Sequence, residues 1–157
     1  MAVASTNTGT SYPAIATPRA PNGVFNKRVM QTSAHEWQET IFSRLEEVVR
    51  LPINWDGYGG TPVGFGTAHF TMSMLHSACP VGSPAPQIVP GSDGGLQVEW
   101  HSLEYDIELH VHAPFKVSAV RYHGDNIEEF ALTNEFSAIA VWLKDLEIAV
   151  AARSAAA

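Results

Sequence analysis

The chain is poor in cysteine and in positive charge, and it has no long apolar run. Cys79 is its one cysteine, so no intrachain disulfide can staple the fold and no Cys-x-x-Cys pair is available for redox chemistry or zinc. Its 9 lysines and arginines are set against 16 aspartates and glutamates, a formal charge of −7. That balance repels phosphate backbones and argues against nucleic acid as a ligand of the folded part. No run approaches the ~20 apolar residues of a membrane helix, and the first residues lack the compact apolar core of a secretory signal. The expectation is a cytoplasmic protein with no membrane association. Catalytic signatures are also missing. There is no Gly-x-Ser-x-Gly, no His-Glu-x-x-His and no phosphate loop. Cys79 ends an apolar stripe and reads as a buried small hydrophobe, not a nucleophile. No cofactor is implied, and the reading leans away from an enzyme.

What remains is a chain of 157 residues, 45% apolar, long enough for one proper core. Residues 1–30 are rich in Ala, Thr, Ser, Pro and Gly without a persistent period, and read as a flexible N-terminal arm. Residues 31–157 read as a single α+β domain. The arm is acid-poor and hydroxyl-rich like an organelle transit peptide, but lacks the amphipathic arginine stripe. Arg19, Lys27 and Arg28 are the only basic residues before Glu36 and the one place where nucleic acid could be contacted. The rest carries six basic residues against 16 acidic, a formal charge of −10.

The periodicity predicts two N-terminal helices, an antiparallel β-meander of about four strands, and a C-terminal helix packed on one sheet face. Ser33 and Glu36 form a capping box. Trp37, Ile41, Leu45 and Val48 then recur at helical spacing, widened by Phe42 and Val49. Thr61-Pro62 looks like the start of the second helix, with Phe65, Ala68, Met72, Leu75 and Cys79 as its buried stripe. Ile88-Val89, between Pro86 and Pro90, suits a short edge strand. Leu96 to Trp100 and Tyr105 to Val111 alternate apolar with polar. Taking Ser102-Leu103 as their turn sets Trp100 opposite Tyr105, Val98 opposite Ile107 and Glu99 opposite Asp106. A turn at Pro114-Phe115 sets Leu109 opposite Val120, Ile107 opposite Tyr122 and Glu108 opposite Arg121. Residues 127–132 suggest a fourth strand of the meander. The last helix, about 134–153, has a core stripe of Phe136, Ile139, Leu143, Leu146 and Val150. Val141, Trp142 and Ile148 lie off it, a surplus of apolar surface that suits deep burial or a homo-oligomer.

Two stretches bear on function. Asn54-Trp55-Asp56-Gly57-Tyr58-Gly59-Gly60 interleaves aromatics with glycines and one carboxylate. Asp56 before Gly57 suits an Asx-type turn. A structural corner is expected, with Trp55 and Tyr58 packing back on the fold. The sheet's polar face carries Gln97, Glu99, His101, Asp106, Glu108, His110 and His112. Carboxylates and imidazoles at alternate strand positions could ligate a metal or move protons. Glu99, Asp106, Glu108, His110 and His112 are the residues of a metal-dependent hydrolase or metal-binding module, the alternative reading.

The NWDGYG corner, a proline near the start of the next helix, Pro86-x-Ile88-Val89-Pro90 and Asp93-Gly94-Gly95-Leu96-Gln97-Val98-Glu99-Trp100 together resemble a family of small uncharacterised bacterial proteins. The resemblance covers roughly residues 50 to 112. It implies no catalytic role for any residue; its character is that of accessory, antitoxin-like or defence-related proteins and inhibitors. It also suggests that Trp55 and Trp100 share one aromatic cluster. The leading expectation is a non-enzymatic acidic binding protein that engages a protein partner through Glu99, Asp106, Glu108 and Trp142. Such carboxylates can imitate phosphates toward a basic groove.

Overall fold

The computed structural model describes residues 37–157. The expected arm, its Arg19, Lys27 and Arg28, and the capping box of Ser33 and Glu36 lie outside them. The described chain is α+β. Helix α1 (Gln38–Val49) and α2 (Phe65–Ala78) precede strands β1 (Gln87–Pro90), β2 (Leu96–Ser102), β3 (Tyr105–Ala113), β4 (Lys116–His123) and β5 (Asn126–Leu132), and α3 (Ser137–Ala155) follows. The strands form one antiparallel meander in the order β1-β2-β3-β4-β5.

One core holds the helices to one face of the sheet. Trp37, Ile41, Leu45 and Val48 are buried as their spacing predicts. So are Leu96, Val98, Trp100, Ile107, Leu109 and Val111 from the strands. Helix α2 begins three residues later than expected: Gly64 is its N-cap, and Thr61-Pro62 belong to the corner before it. Its buried side is Thr67, Ala68, Thr71, Met74, Leu75 and Ala78, whereas Phe65 is 76% exposed. The Thr71 hydroxyl donates to the Thr67 carbonyl (2.9 Å), which lets a polar side chain sit inside the core.

The registers correct two expectations. The β2–β3 turn is Leu103-Glu104, so Trp100 faces Ile107, Val98 faces Leu109 and Glu99 faces Glu108, not Asp106. Leu103 takes a left-handed φ of 56° to make it. Pro114-Phe115 is the β3–β4 turn as expected, and Ala113 pairs with Lys116. A β-bulge between Val111 and Ala113 then shifts the ladder, so Leu109 faces Ala119, Ile107 faces Arg121 and Glu108 faces Val120. A one-residue shift moves a whole strand to the other face. Val117 and Ala119 enter the core, while Val120 and Tyr122 turn to the open side.

Arg121 thereby lies on the helix side, 14% exposed. Its Nε and Nη2 donate to Glu128 Oε1 (3.1 and 2.7 Å) and Nη1 donates to Asp145 Oδ2 of α3 (3.0 Å). The guanidinium lies 5.5 Å from the Trp142 ring centroid, and the Trp142 indole donates to Glu128 Oε2. On the other flank of α3, Glu147 accepts from Lys144 and from the Gly82 amide (2.9 Å), contacts that, Lys144 foremost, hold its carboxyl below the usual range. The last helix is thus fastened to the sheet on one side and to the α2–β1 connection on the other.

Removing the guanidinium leaves two carboxylates and an indole without their shared partner. Arg121→Ala should cost about 3 kcal/mol in a denaturant melt, the low end for a broken buried pair. Glu128 and Asp145 keep much of their side chains in water. Arg121→Lys should lose less, since charge survives and only the fork geometry is gone. A second test addresses the bulge. A Cβ on Gly95 would stand 2.9 Å from the Val111 carbonyl oxygen, so Gly95→Ala should lower stability by about 1–3 kcal/mol through overpacking against backbone.

Candidate functional site

The face of the sheet turned away from the helices has no helix over it among the described residues. The registers fix what it presents. One row across the strands reads Gln87, Glu99, Glu108, Val120 and Glu129; the next reads Val89, Gln97, His110, Ser118 and Ala131; a third joins His101, Asp106, Tyr122 and Ile127. Glu99 and Glu108 are opposed directly, and like charges in that position destabilise a sheet. The strand positions of this face hold one Lys or Arg, Lys116 at the end of β4. Arg121, the residue expected opposite Glu108, serves the other face.

Histidines take up part of the charge. His101 Nε2 lies 3.1 Å from Glu99 Oε2 and its Nδ1 2.7 Å from Asp106 Oδ1. A neutral imidazole donates only once, so two carboxylate partners favour the imidazolium. The Glu99 hydrogen bond raises the His101 pKa above its usual 6.5, helped by the charges of Asp106 and Glu99 against a smaller desolvation. His110 Nε2 stands 3.5 Å from Glu108 Oε2, and His112, at the bulge, meets Ser118 Oγ at 2.9 Å.

The structure therefore brings Glu99, Asp106 and Glu108 onto one surface, as the alternation predicts. It does not gather the five residues of the metal reading. Among the described residues no three His, Cys, Asp or Glu side chains converge to hold an ion. His101 fills the space between Glu99 and Asp106, Glu108 leans toward His110, and His112 is diverted to Ser118. Trp142, expected as a contact residue, is 2% exposed and wedged between Arg121 and Phe130, so it is part of the scaffold. The expectation missed Glu129, Val120, Tyr122 and Ile127 on the open face, because the bulge that turns β4 and β5 over carries no Gly or Pro of its own.

The NWDGYG stretch closes on itself. Asn54, Gly57 and Gly59 take left-handed φ values of 63°, 78° and 92°. Asp56 Oδ1 accepts from the Tyr58 and Gly60 amides (2.8 Å each), which holds its carboxyl below the usual range. Asn54 Oδ1 accepts from the Gly59 amide, and the Trp55 indole donates to the Thr61 carbonyl. The Thr61 amide then donates to Ser92 O (2.8 Å), and Gly94 approaches Thr61 and Pro62. The corner and the Ser92–Gly95 turn are joined, but through backbone. Trp100 is not their partner: its indole donates to Pro84 O near the far end of β2. Tyr58 does not pack back on the fold either; it is 96% exposed.

The fold and site define an α+β domain with a helix-covered meander and one open, acidic sheet face. Compared with known proteins, the chain matches no family model, no curated protein and no solved structure. No helix of the described residues is long and apolar enough to cross a membrane.

The imidazole bridge gives a pH dependence with a definite sign. A folded-state pKa raised above 6.5 stabilises the protein fully below that value, and the contribution fades as pH rises through the raised value. NMR titration should find His101 titrating above 6.5, and Glu99→Gln should move it back down.

Proposed function

We propose that this chain is a non-enzymatic binding protein that engages a basic protein surface through the open sheet face. One observation carries the reading: Glu99, Asp106, Glu108 and Glu129 share the face that no described helix covers, and its central strands keep Glu99 and Glu108 directly opposed. A solvated face serving solubility alone gains nothing from opposing like charges across a strand pair. A basic partner would relieve the repulsion on docking, so the unfavourable pair becomes part of the binding free energy. Val89, Tyr122 and Ile127, all partly exposed on the same face, supply the apolar contact that charge alone lacks. An inhibitor or antitoxin-like role, as the family resemblance implies, is one form such binding takes.

The double variant Glu99→Gln/Glu108→Gln separates folding from binding. At a pH above the raised His101 value, where the imidazole bridge no longer contributes, its melting temperature should rise, since an opposed pair is worth about 0.2–1 kcal/mol. Tagged wild-type protein should retain a stoichiometric basic protein from nuclease-treated lysate of its source cells, in a salt-sensitive manner. The stabilised variant should lose that protein. Equal capture by both forms would remove the open face from the interaction.

A further inference from the structure

The two edges of the sheet are treated differently. Strand β1 has four residues, ends in Pro90, and its Ile88 carbonyl is occupied by Arg44 Nε of α1 at 3.1 Å. Short length, proline and a covering side chain are the usual means of blunting an edge. Strand β5 has none of these three; its protection is charge alone, with Glu129 exposed and Glu128 taken up by Arg121. All seven of its residues are paired inward to β4, it contains no proline, and among the described residues no strand or helix pairs with its outer edge. Ile127 and Phe130 are 61% and 41% exposed along it. An open, regular edge that carries exposed apolar side chains is a template for another strand.

We infer that β5 pairs antiparallel with β5 of a second copy of this chain, joining two meanders into one continuous sheet about a two-fold axis at Phe130. Charge leaves an axis at Phe130 or at Ala131, and of the two only Phe130 brings phenyl against phenyl, a favourable cross-strand pair. In such a pair facing residues lie on the same side of the sheet, so the axis lies midway between the two copies of one residue. An axis at Glu128 or at Glu129 sets two carboxylates face to face. An axis at Phe130 sets phenyl against phenyl, Glu129 against Ala131 and Glu128 against Leu132. The Phe130 ring already packs 5.4 Å from Trp142, so the seam extends an existing aromatic contact instead of starting a new one. Glu128 arrives neutralised by Arg121 and held by the Trp142 indole.

Light scattering on the full chain over a concentration series should give twice the 17.0 kDa chain mass. Phe130→Cys should crosslink to its copy under mild oxidation. Facing Cα atoms stand ~4.5–5.5 Å apart in an antiparallel pair, within disulfide reach. Ile127→Cys should not crosslink, and Cys79 is too buried to compete. A monomeric mass at every concentration overturns the inference and leaves the edge to a strand of another protein. Crosslinking through Ile127 instead of Phe130 overturns the register. The mass of the unmodified chain decides the first point even where a variant fails to fold.

Discussion

The bulge at His112 is the constraint on which the rest of this domain depends. One unpaired residue between Val111 and Ala113 decides which side of the sheet β4 and β5 present to the helices. With it, the small Val117 and Ala119 meet the core and Arg121 points under α3. Without it, Val120 and Tyr122 would press into space that those small side chains leave for the helices, and Arg121 would stand among the glutamates. The bulge is supported from both sides. Gly95 lies against the Val111 carbonyl, where no Cβ fits, and the His112 imidazole bonds Ser118 across the strand pair. The Asp93-Gly94-Gly95 sequence therefore does two separate jobs. Gly94 takes the positive φ of the turn, and Gly95 leaves room for the bulge.

This arrangement also explains the charge distribution. An acidic domain has few cations, and the bulge sends one of them to the helix side. There Arg121 organises Glu128, Asp145 and Trp142 into a closed set, in which each acid accepts from a named donor. The cost falls on the other face, where Glu99 and Glu108 are left opposed and only imidazoles moderate them. Two surfaces with opposite electrostatic character thus arise from one register shift. The covered face is neutralised by a guanidinium. The open face is charged and relieved only in part, by His101 and His110.

Periodicity carried the element types, their order and the one-sided burial of the sheet, because alternation and helical spacing are strong over these lengths. It could not carry the registers. Moving the β2–β3 turn by one residue changes each partner by two positions, so apolar still meets apolar, and the alternation is equally satisfied either way. Only Leu103 adopting a left-handed conformation distinguishes them, and leucine gives no sign of that. The β3–β4 turn was legible from Pro114, yet the bulge two residues before it was not. Trp142 was misplaced for a related reason. Its helical position lies beside the apolar stripe, and it is buried because Arg121 and Phe130 reach up to meet it. The corner was legible as a corner, since Asn, Asp and Gly in that order form their own hydrogen bonds. Its partner was the Ser92 backbone, which no pattern of side chains announces.

The open face and the open edge belong to the same geometry. A two-fold axis between the two β5 strands runs normal to the sheet, because the strands reverse while the faces do not. Both acidic faces of such a pair look the same way. The carboxylates at the seam are the Glu129 side chains, each beside Ala131 of the copy, and the Glu99–Glu108 pairs lie further out on β2 and β3. A compact basic partner could cover one such face. An extended or repeated basic surface could engage both, and the second contact would form at the effective concentration set by a rigid sheet instead of a linker. Repulsion between the two acidic faces limits the pair as well. It weakens as salt rises, whereas the attraction of a basic partner weakens with it. Self-association and partner binding would therefore respond to ionic strength in opposite directions, and the two uses of the sheet can be told apart without altering a residue.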